Sequence, residues 1–266
     1  MILWNYHTHT TFCDGKNTAE EMVQATLALG FETLGFSGHV DISPTMDIPA
    51  YQTEIRRLAE KYRGRIEILC GGEFDLCYPD PNLPGFDYRI GSNHFVDAGE
   101  GTPSAIDWSP EKFQQLVQKG FGGDVYRLTR QYFERVASLP DRIPCDFIGH
   151  FDLVTKFNDT LHLIDETDPR YLDPAMAALD ALLERQIPFE INTARVSVGR
   201  MYPNRVFLER IHQRGGEILI NSDAHRAEDL NRGFPEAEHL ASSCGFDHIL
   251  RLTKKGGKLA FLHVGL

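Results

Sequence analysis

The 266-residue chain lacks several features that define whole classes of protein. It has no apolar run approaching the ~20 residues of a membrane-spanning helix, so no membrane partner is expected. Its first residues, MILWNYHTHT, carry no basic stretch followed by a long apolar one, and do not read as a secretory leader. Positive charge is in short supply: 27 Lys and Arg face 38 Asp and Glu, a formal charge of -11. A nucleic-acid partner, which wants a basic footprint, is therefore not expected. Cysteine is sparse as well. Cys13, Cys70, Cys77, Cys145 and Cys244 are odd in number and contain no CxxC pair. Reduced thiols in a cytoplasmic protein are expected, rather than a disulfide framework or a thiolate metal site. The chain has no linker-like Ser/Gly/Pro stretch, no low-complexity tract and no short repeat. Its composition, 42% hydrophobic and 24% charged, is that of an ordinary folded protein. Its length suits a single domain over residues 1–266.

What recurs is a β-prone apolar run followed by a polar segment and a helical pattern. The runs are Ile2–His9, Phe31–His39, Ile66–Phe74, Tyr88–Phe95, Asp146–Phe151, Ile187–Asn192 and Glu217–Ser222. Helical patterns cover Thr18–Leu29, Tyr51–Tyr62, Pro110–Gln118, Val125–Leu139, Pro174–Arg185, Asn204–Gln213 and Pro235–Ser243, with a last short run at His248–Leu252. Thr18 and Glu21 have capping-box spacing, and Gly30 stops that helix. Asp173 before Pro174 reads as an N-cap with proline at the first helical position. Alternating strands and helices imply parallel strands with crossover helices. Seven such units fit a closed or nearly closed α/β barrel better than an open sheet. The competing open doubly wound sheet would carry a Gly-rich phosphate loop after its first strand, and none is present.

Histidine is what the chain has in plenty. Of its eleven, six (His7, His9, His39, His94, His150 and His225) fall at the ends of the apolar runs or one step beyond. Glu73 and Asp223 occupy equivalent places. Side chains two apart on a strand share a face, so His7 and His9 point the same way. In a parallel barrel all strand C-termini open on one face, where active sites lie. For a single histidine a hydrogen-bonded structural role is the commoner explanation, but six at equivalent places would need six coincidences. Converging imidazoles and carboxylates are what a divalent metal needs. His162, His212, His239, His248 and His263 lack this placement and read as ordinary.

The segments YHTHTTFCDG, LGFSGHVD, GGEFD, IGSNHFVD, IGHFD and NSDAH occur in this order between residues 6 and 225. In that order they resemble the polymerase-and-histidinol-phosphatase (PHP) superfamily. Glu190-Ile191-Asn192-Thr193 followed by Tyr202-Pro203 gives the closest likeness to its histidinol-phosphatase branch. The resemblance implies a distorted, TIM-like (β/α)7 barrel and three divalent ions, zinc, manganese or iron. One would take His7, His9, Glu73 and Asp223. A second would share Glu73 and add His94 and His150. The third would take Asp14, His39 and His225. Asp14, Glu73 and Asp223 would thus be the catalytic carboxylates. Arg195 and Arg200, just past the sixth run, and Lys156, past the fifth, are candidates for the phosphate of a small phosphate-ester substrate, since a guanidinium fork matches phosphate geometry. Lys156 stands where the branch often has arginine, and Gly38 where it has an acidic residue.

The activity implied is hydrolysis of L-histidinol phosphate in histidine biosynthesis through a metal-bound hydroxide. The alternatives are a related phosphoesterase for another small ester or a nucleotide, and a non-catalytic metal-binding module. Three divalent cations would bring roughly +6 to a site whose carboxylates supply about -3, so an acidic protein can still receive an anion there.

Overall fold

The fold was analysed in a computed structural model, which describes residues 1–42, 46–80, 82–99, 101 and 103–266. Seven strands lie side by side in chain order: β1 (Trp4–Asn5), β2 (Thr33–Phe36), β3 (Glu67–Asp75), β4 (Tyr88–Ser92), β5 (Phe147–Ile148), β6 (Phe189–Asn192) and β7 (Ile218–Asn221). Each pairs with the next in parallel, as Trp4 with Thr33 and Glu73 with Ile90. The ring is closed by one parallel bridge, Thr8 to Ala224, with His9 N donating to Ala224 O at 2.9 Å and Ala224 N to His7 O at 3.1 Å. The fold is a nearly closed seven-stranded parallel barrel, as the alternation predicts. A short strand, His39–Val40, adds to the far end of β3 and sets His39 beside Glu73.

The barrel interior is filled, not open. Tyr88 lies across it, fully buried, and donates its hydroxyl to Phe36 O at 3.0 Å. Room for that ring comes from Gly71, where a Cβ would sit 2.1 Å from Tyr88 Cζ. Outside the strands run helices α1 (Ala19–Ala28), α2 (Ile48–Lys61), α3 (Pro110–Gly120), α4 (Val125–Ala137), α5 (Pro169–Glu184), α6 (Arg205–Gln213) and α7 (Phe234–Ser243). The α1 capping box is present as read: Thr18 Oγ1 accepts from Glu21 N, and Glu21 accepts from Thr18 N.

Two helix starts differ from the sequence reading. Helix α2 begins at Ile48, not Tyr51, because Asp47 caps it by accepting from Ala50 N. Helix α5 begins at Pro169 under the N-cap Asp168, so Pro174 lies inside it and Asp173 caps nothing. The extra turn buries Tyr171 against Phe133, with ring centroids 5.5 Å apart, and that apolar contact offsets the hydrogen bond Pro174 cannot donate.

The run at His248–Leu252 is also longer than read. It begins an antiparallel hairpin, β8 (His248–Lys255) and β9 (Lys258–Gly265), turning at Gly256-Gly257. The hairpin lies across the N-terminal ends of the barrel strands: Tyr6 Oη and Leu252 N and O exchange hydrogen bonds of 2.8 and 3.0 Å, and Lys254 N donates to Glu67. All five cysteines are free. Among the described residues no helix is long and apolar enough to cross a membrane.

Candidate metal centre

The strand C-termini deliver all nine sequence-marked residues to one place. His7 and His9 follow β1, and both Nε2 atoms face Asp223 Oδ1, at 3.6 and 3.1 Å. Glu73, near the end of β3, reaches His7 and His9 through Oε2 at 3.3 and 3.6 Å. Its other oxygen lies 3.3 Å from His94 Nε2 and 2.8 Å from His150 Nε2. Asp14 faces His225 Nε2 at 3.1 Å and His39 Nε2 at 3.6 Å, with His9 Nδ1 at 3.7 Å. Asp14 can fold back onto the site because Gly15 follows it, where a Cβ would stand 2.5 Å from Thr10 N. Asp223 adopts the left-handed region at φ 53°, which aspartate tolerates better than most side chains.

Six atoms in this cluster are buried without a hydrogen-bond partner: His7 Nε2, His9 Nε2, His39 Nδ1, Glu73 Oε2, His150 Nδ1 and Asp223 Oδ1. The imidazole nitrogens of His7, His9 and His39 converge on the oxygens of Glu73 and Asp223. Buried polar atoms are almost always matched, so such a group suits a partner of positive charge. Imidazole nitrogens and carboxylate oxygens are the donor set of zinc and related divalent ions, and the residues present fit that group. Four clusters in the centre bring ligand atoms within 4.8 Å of one another, and they connect through shared His7, His9, His39 and Glu73.

Carboxylates and a carbonyl outside the cluster orient the rings. His7 Nδ1 lies 2.8 Å from Glu190 Oε1, His94 Nδ1 lies 3.2 Å from Asp75 Oδ2, and His225 Nδ1 lies 3.0 Å from Asp223 O. Each acceptor holds a proton on Nδ1 and leaves Nε2 aimed inward at the other side chains of the cluster. Burial disfavours charge on Glu73, yet the surrounding His7, His94 and His39 more than offset it and hold its carboxyl well below the usual range. His94 is pushed up to about 10: burial opposes this, and Glu73 and Asp75 prevail.

Glu190 and Asp75 were not singled out from the sequence. Glu190 is fully buried and accepts from His7, Asn221, Asn192 and the His150 backbone, making it the hub behind the centre. A carboxylate inside the apolar Phe189–Asn192 run was its available signal. Asp152, also unread, is fully buried; burial pushes its carboxyl up to about 7, and only its Oδ2 has a partner, Asn204 N at 3.1 Å.

The three basic candidates each hold a carboxylate. Arg200 donates to Glu166 Oε1 at 2.6 Å and to Thr155 Oγ1 at 2.9 Å. Arg195 donates to Asp159 at 2.8 Å, and Lys156 Nζ lies 3.2 Å from Asp107. Asp107 is held below its ordinary pKa despite burial by His94 and Lys156, which puts Lys156 at the edge of the centre. Two histidines read as ordinary, His248 and His263, also converge with a carboxylate, Glu217, away from this centre.

Fold and site together define a parallel α/β barrel with a histidine- and carboxylate-lined cluster at its strand C-termini that could hold divalent metal. The PHP domain family model matches residues 5–194, and the chain belongs to that family. A protein of Deinococcus radiodurans named probable histidinol-phosphatase is 29% identical over 88% of this chain and 91% of its own. The histidinol-phosphatase of Bacillus subtilis is 26% identical over 86% of this chain and 95% of its own. A histidinol phosphate phosphatase of Lactococcus lactis, solved with zinc, L-histidinol and phosphate, shares the fold at a TM-score of 0.70 and 20% identity, covering 97% of this chain and 98% of that one.

Proposed function

We propose that this chain is a metal-dependent phosphomonoester hydrolase that cleaves L-histidinol phosphate to L-histidinol and phosphate, in cytoplasmic L-histidine biosynthesis. One observation carries the hydrolase reading: four buried, unpartnered ligand atoms of His7, His9, Glu73 and Asp223 face one another at the barrel mouth. The names of relatives that align along nearly their whole lengths support the substrate.

Three divalent ions, zinc, manganese or iron, are the cofactors in this reading. His7, His9, Glu73 and Asp223 would hold the first; Glu73, His94 and His150 the second; Asp14, His39 and His225 the third. Such ions supply a water acidic enough to attack phosphorus near neutral pH and positive charge facing the phosphoryl oxygens. The chain's own part is positional. Glu73 turns one oxygen toward His7 and the other toward His150 and would help hold both of the first two ions, and Glu190 and Asp75 keep the protons of His7 and His94 on Nδ1. Arg195, Arg200 and Lys156 would exchange their carboxylates for phosphoryl oxygens as substrate enters.

The test is turnover of a phosphomonoester panel by metal-loaded protein. Histidinol phosphate should exceed p-nitrophenyl phosphate and nucleoside monophosphates in kcat/KM by about a hundredfold or more, since a site that hydrogen-bonds its substrate's polar groups can discriminate by up to roughly 10⁴–10⁵. Equal rates across the panel would leave a general phosphoesterase. No turnover of any ester would leave a metal-binding module.

A further inference from the structure

The end of the barrel opposite the proposed catalytic centre carries a second convergence of metal-ligating side chains. Glu217 immediately precedes β7, at its N-terminal end. His248 opens β8 and His263 lies on β9, opposite Leu250 in the register. His248 and Leu250 are two apart and share a face, so the two imidazoles are diagonal neighbours on one side of the hairpin. Their rings stand edge to face with centroids 4.6 Å apart. Both aim Nε2 at the same carboxylate, His248 at Oε2 from 3.0 Å and His263 at Oε1 from 3.2 Å.

We propose that Glu217, His248 and His263 form a separate divalent-cation site, of the kind zinc fills, that fastens the C-terminal hairpin to the barrel wall. Two imidazoles and one carboxylate are a three-ligand set for zinc, with the fourth position open to water. The three ligand atoms lie within 4.8 Å of one another, compact enough for one ion. The Nδ1 side of His248 is already taken: it lies 2.5 Å from Asp247 Oδ1. That carboxylate–imidazole contact is the orientation that metal-bound histidines use, with the Nδ1 proton held and the Nε2 lone pair presented. A lone pair facing a carboxylate oxygen needs positive charge between them. A proton on His248 supplies it for one ring; a single divalent ion supplies it for both rings and the carboxylate at once. The site is part-exposed, with His263 the most open member at 63%, so an ion has a path in.

The difference between proton and ion is measurable with zinc alone. The full-length protein would be stripped by chelator, dialysed against dilute zinc at pH 7.5, and its zinc counted by elemental analysis. Wild type should retain one zinc per chain more than either His263→Gln or Glu217→Gln. Zinc should also raise its melting temperature by a few degrees more than theirs, since a ligand bound only by the native state stabilises it. Phosphatase activity should be the same in all three, as none of these residues belongs to the catalytic cradle. Equal zinc counts together with equal zinc-induced shifts would overturn the proposal and leave a protonated His248 as the bridge. Should either variant fail to fold, the other decides, because the two remove ligands from different elements.

Discussion

The two ends of the barrel handle polarity in opposite ways. At the N-terminal end three carboxylates meet partners from the hairpin: Glu32 takes Arg251, Asp87 takes Lys254 Nζ at 2.7 Å, and Glu67 accepts from Thr253 Oγ1 and Lys254 N at 3.1 and 2.9 Å. Apolar side chains finish the seal, with Ile249, Leu250 and Leu252 buried. At the C-terminal end His7, His9 and Glu73 are buried far more deeply than Glu32, Glu67 or Asp87, yet they and Asp223 each leave an atom unmatched. Matched polarity builds structure, while mutually facing unmatched polarity reserves space for something else. One protein thus keeps a stabilising end and a reactive end on the same strands.

That contrast breaks most sharply at Glu73. Glu73→Gln, which keeps shape and removes the charge shared between two ion positions, should lower turnover by roughly a thousandfold or more. Metal content should fall with it while the melting temperature of the metal-free protein holds; wild-type turnover after the substitution would sink the metal mechanism. The mirror experiment is Leu252→Ala at the sealed end. It should cost about 2–5 kcal/mol by denaturant unfolding, as other deletions of buried leucine do, and leave KM and metal content alone. A loss of metal from that variant would mean the two ends are not separable.

Asp152 gives the smallest and most graded effect. Its carboxyl is raised to about 7 by burial, above its unfolded value near 3.9. A raised acid contributes stability that is complete below the unfolded pKa and is lost as pH climbs through the folded one. Asp152→Asn cannot ionise, so wild type should lose melting temperature relative to it between about pH 4 and pH 8. Parallel pH profiles for the two proteins would remove Asp152 as the source.

The reactive end was the more legible in sequence, because strand alternation is a local rule. His7 and His9 share a face by spacing alone, and the further histidines with Glu73 and Asp223 announce themselves at the ends of apolar runs, whereas Asp14 lies in a turn and is marked by the family resemblance alone. Glu190 escaped because a single charged letter inside Phe189–Asn192 carries no spacing to another ligand. Glu217, His248 and His263 escaped for a stronger reason: their meeting depends on how the hairpin lies over β7, and no local period encodes that. The hairpin itself was readable at Gly256-Gly257, which joins two β-prone runs. At α5 the two Asp-Pro pairs, 168–169 and 173–174, are equivalent as local signals, and burial of Tyr171 chooses the earlier one.

The seam that closes the barrel has a consequence for biogenesis. Tyr6 N donates there to the side-chain Oδ1 of Asn221, 215 residues away, at 2.8 Å, beside the backbone bridge of Thr8 and Ala224. His7 and His9 stand on one lip, Asp223 and His225 on the other. An ion held across that gap would stitch the first strand of the chain to the last strand of the barrel, a loop whose closure entropy it would help to offset. None of that grip exists until β7 has been made and has docked. Bound metal would then count finished molecules, separating chains that have completed the ring from those that have only collapsed.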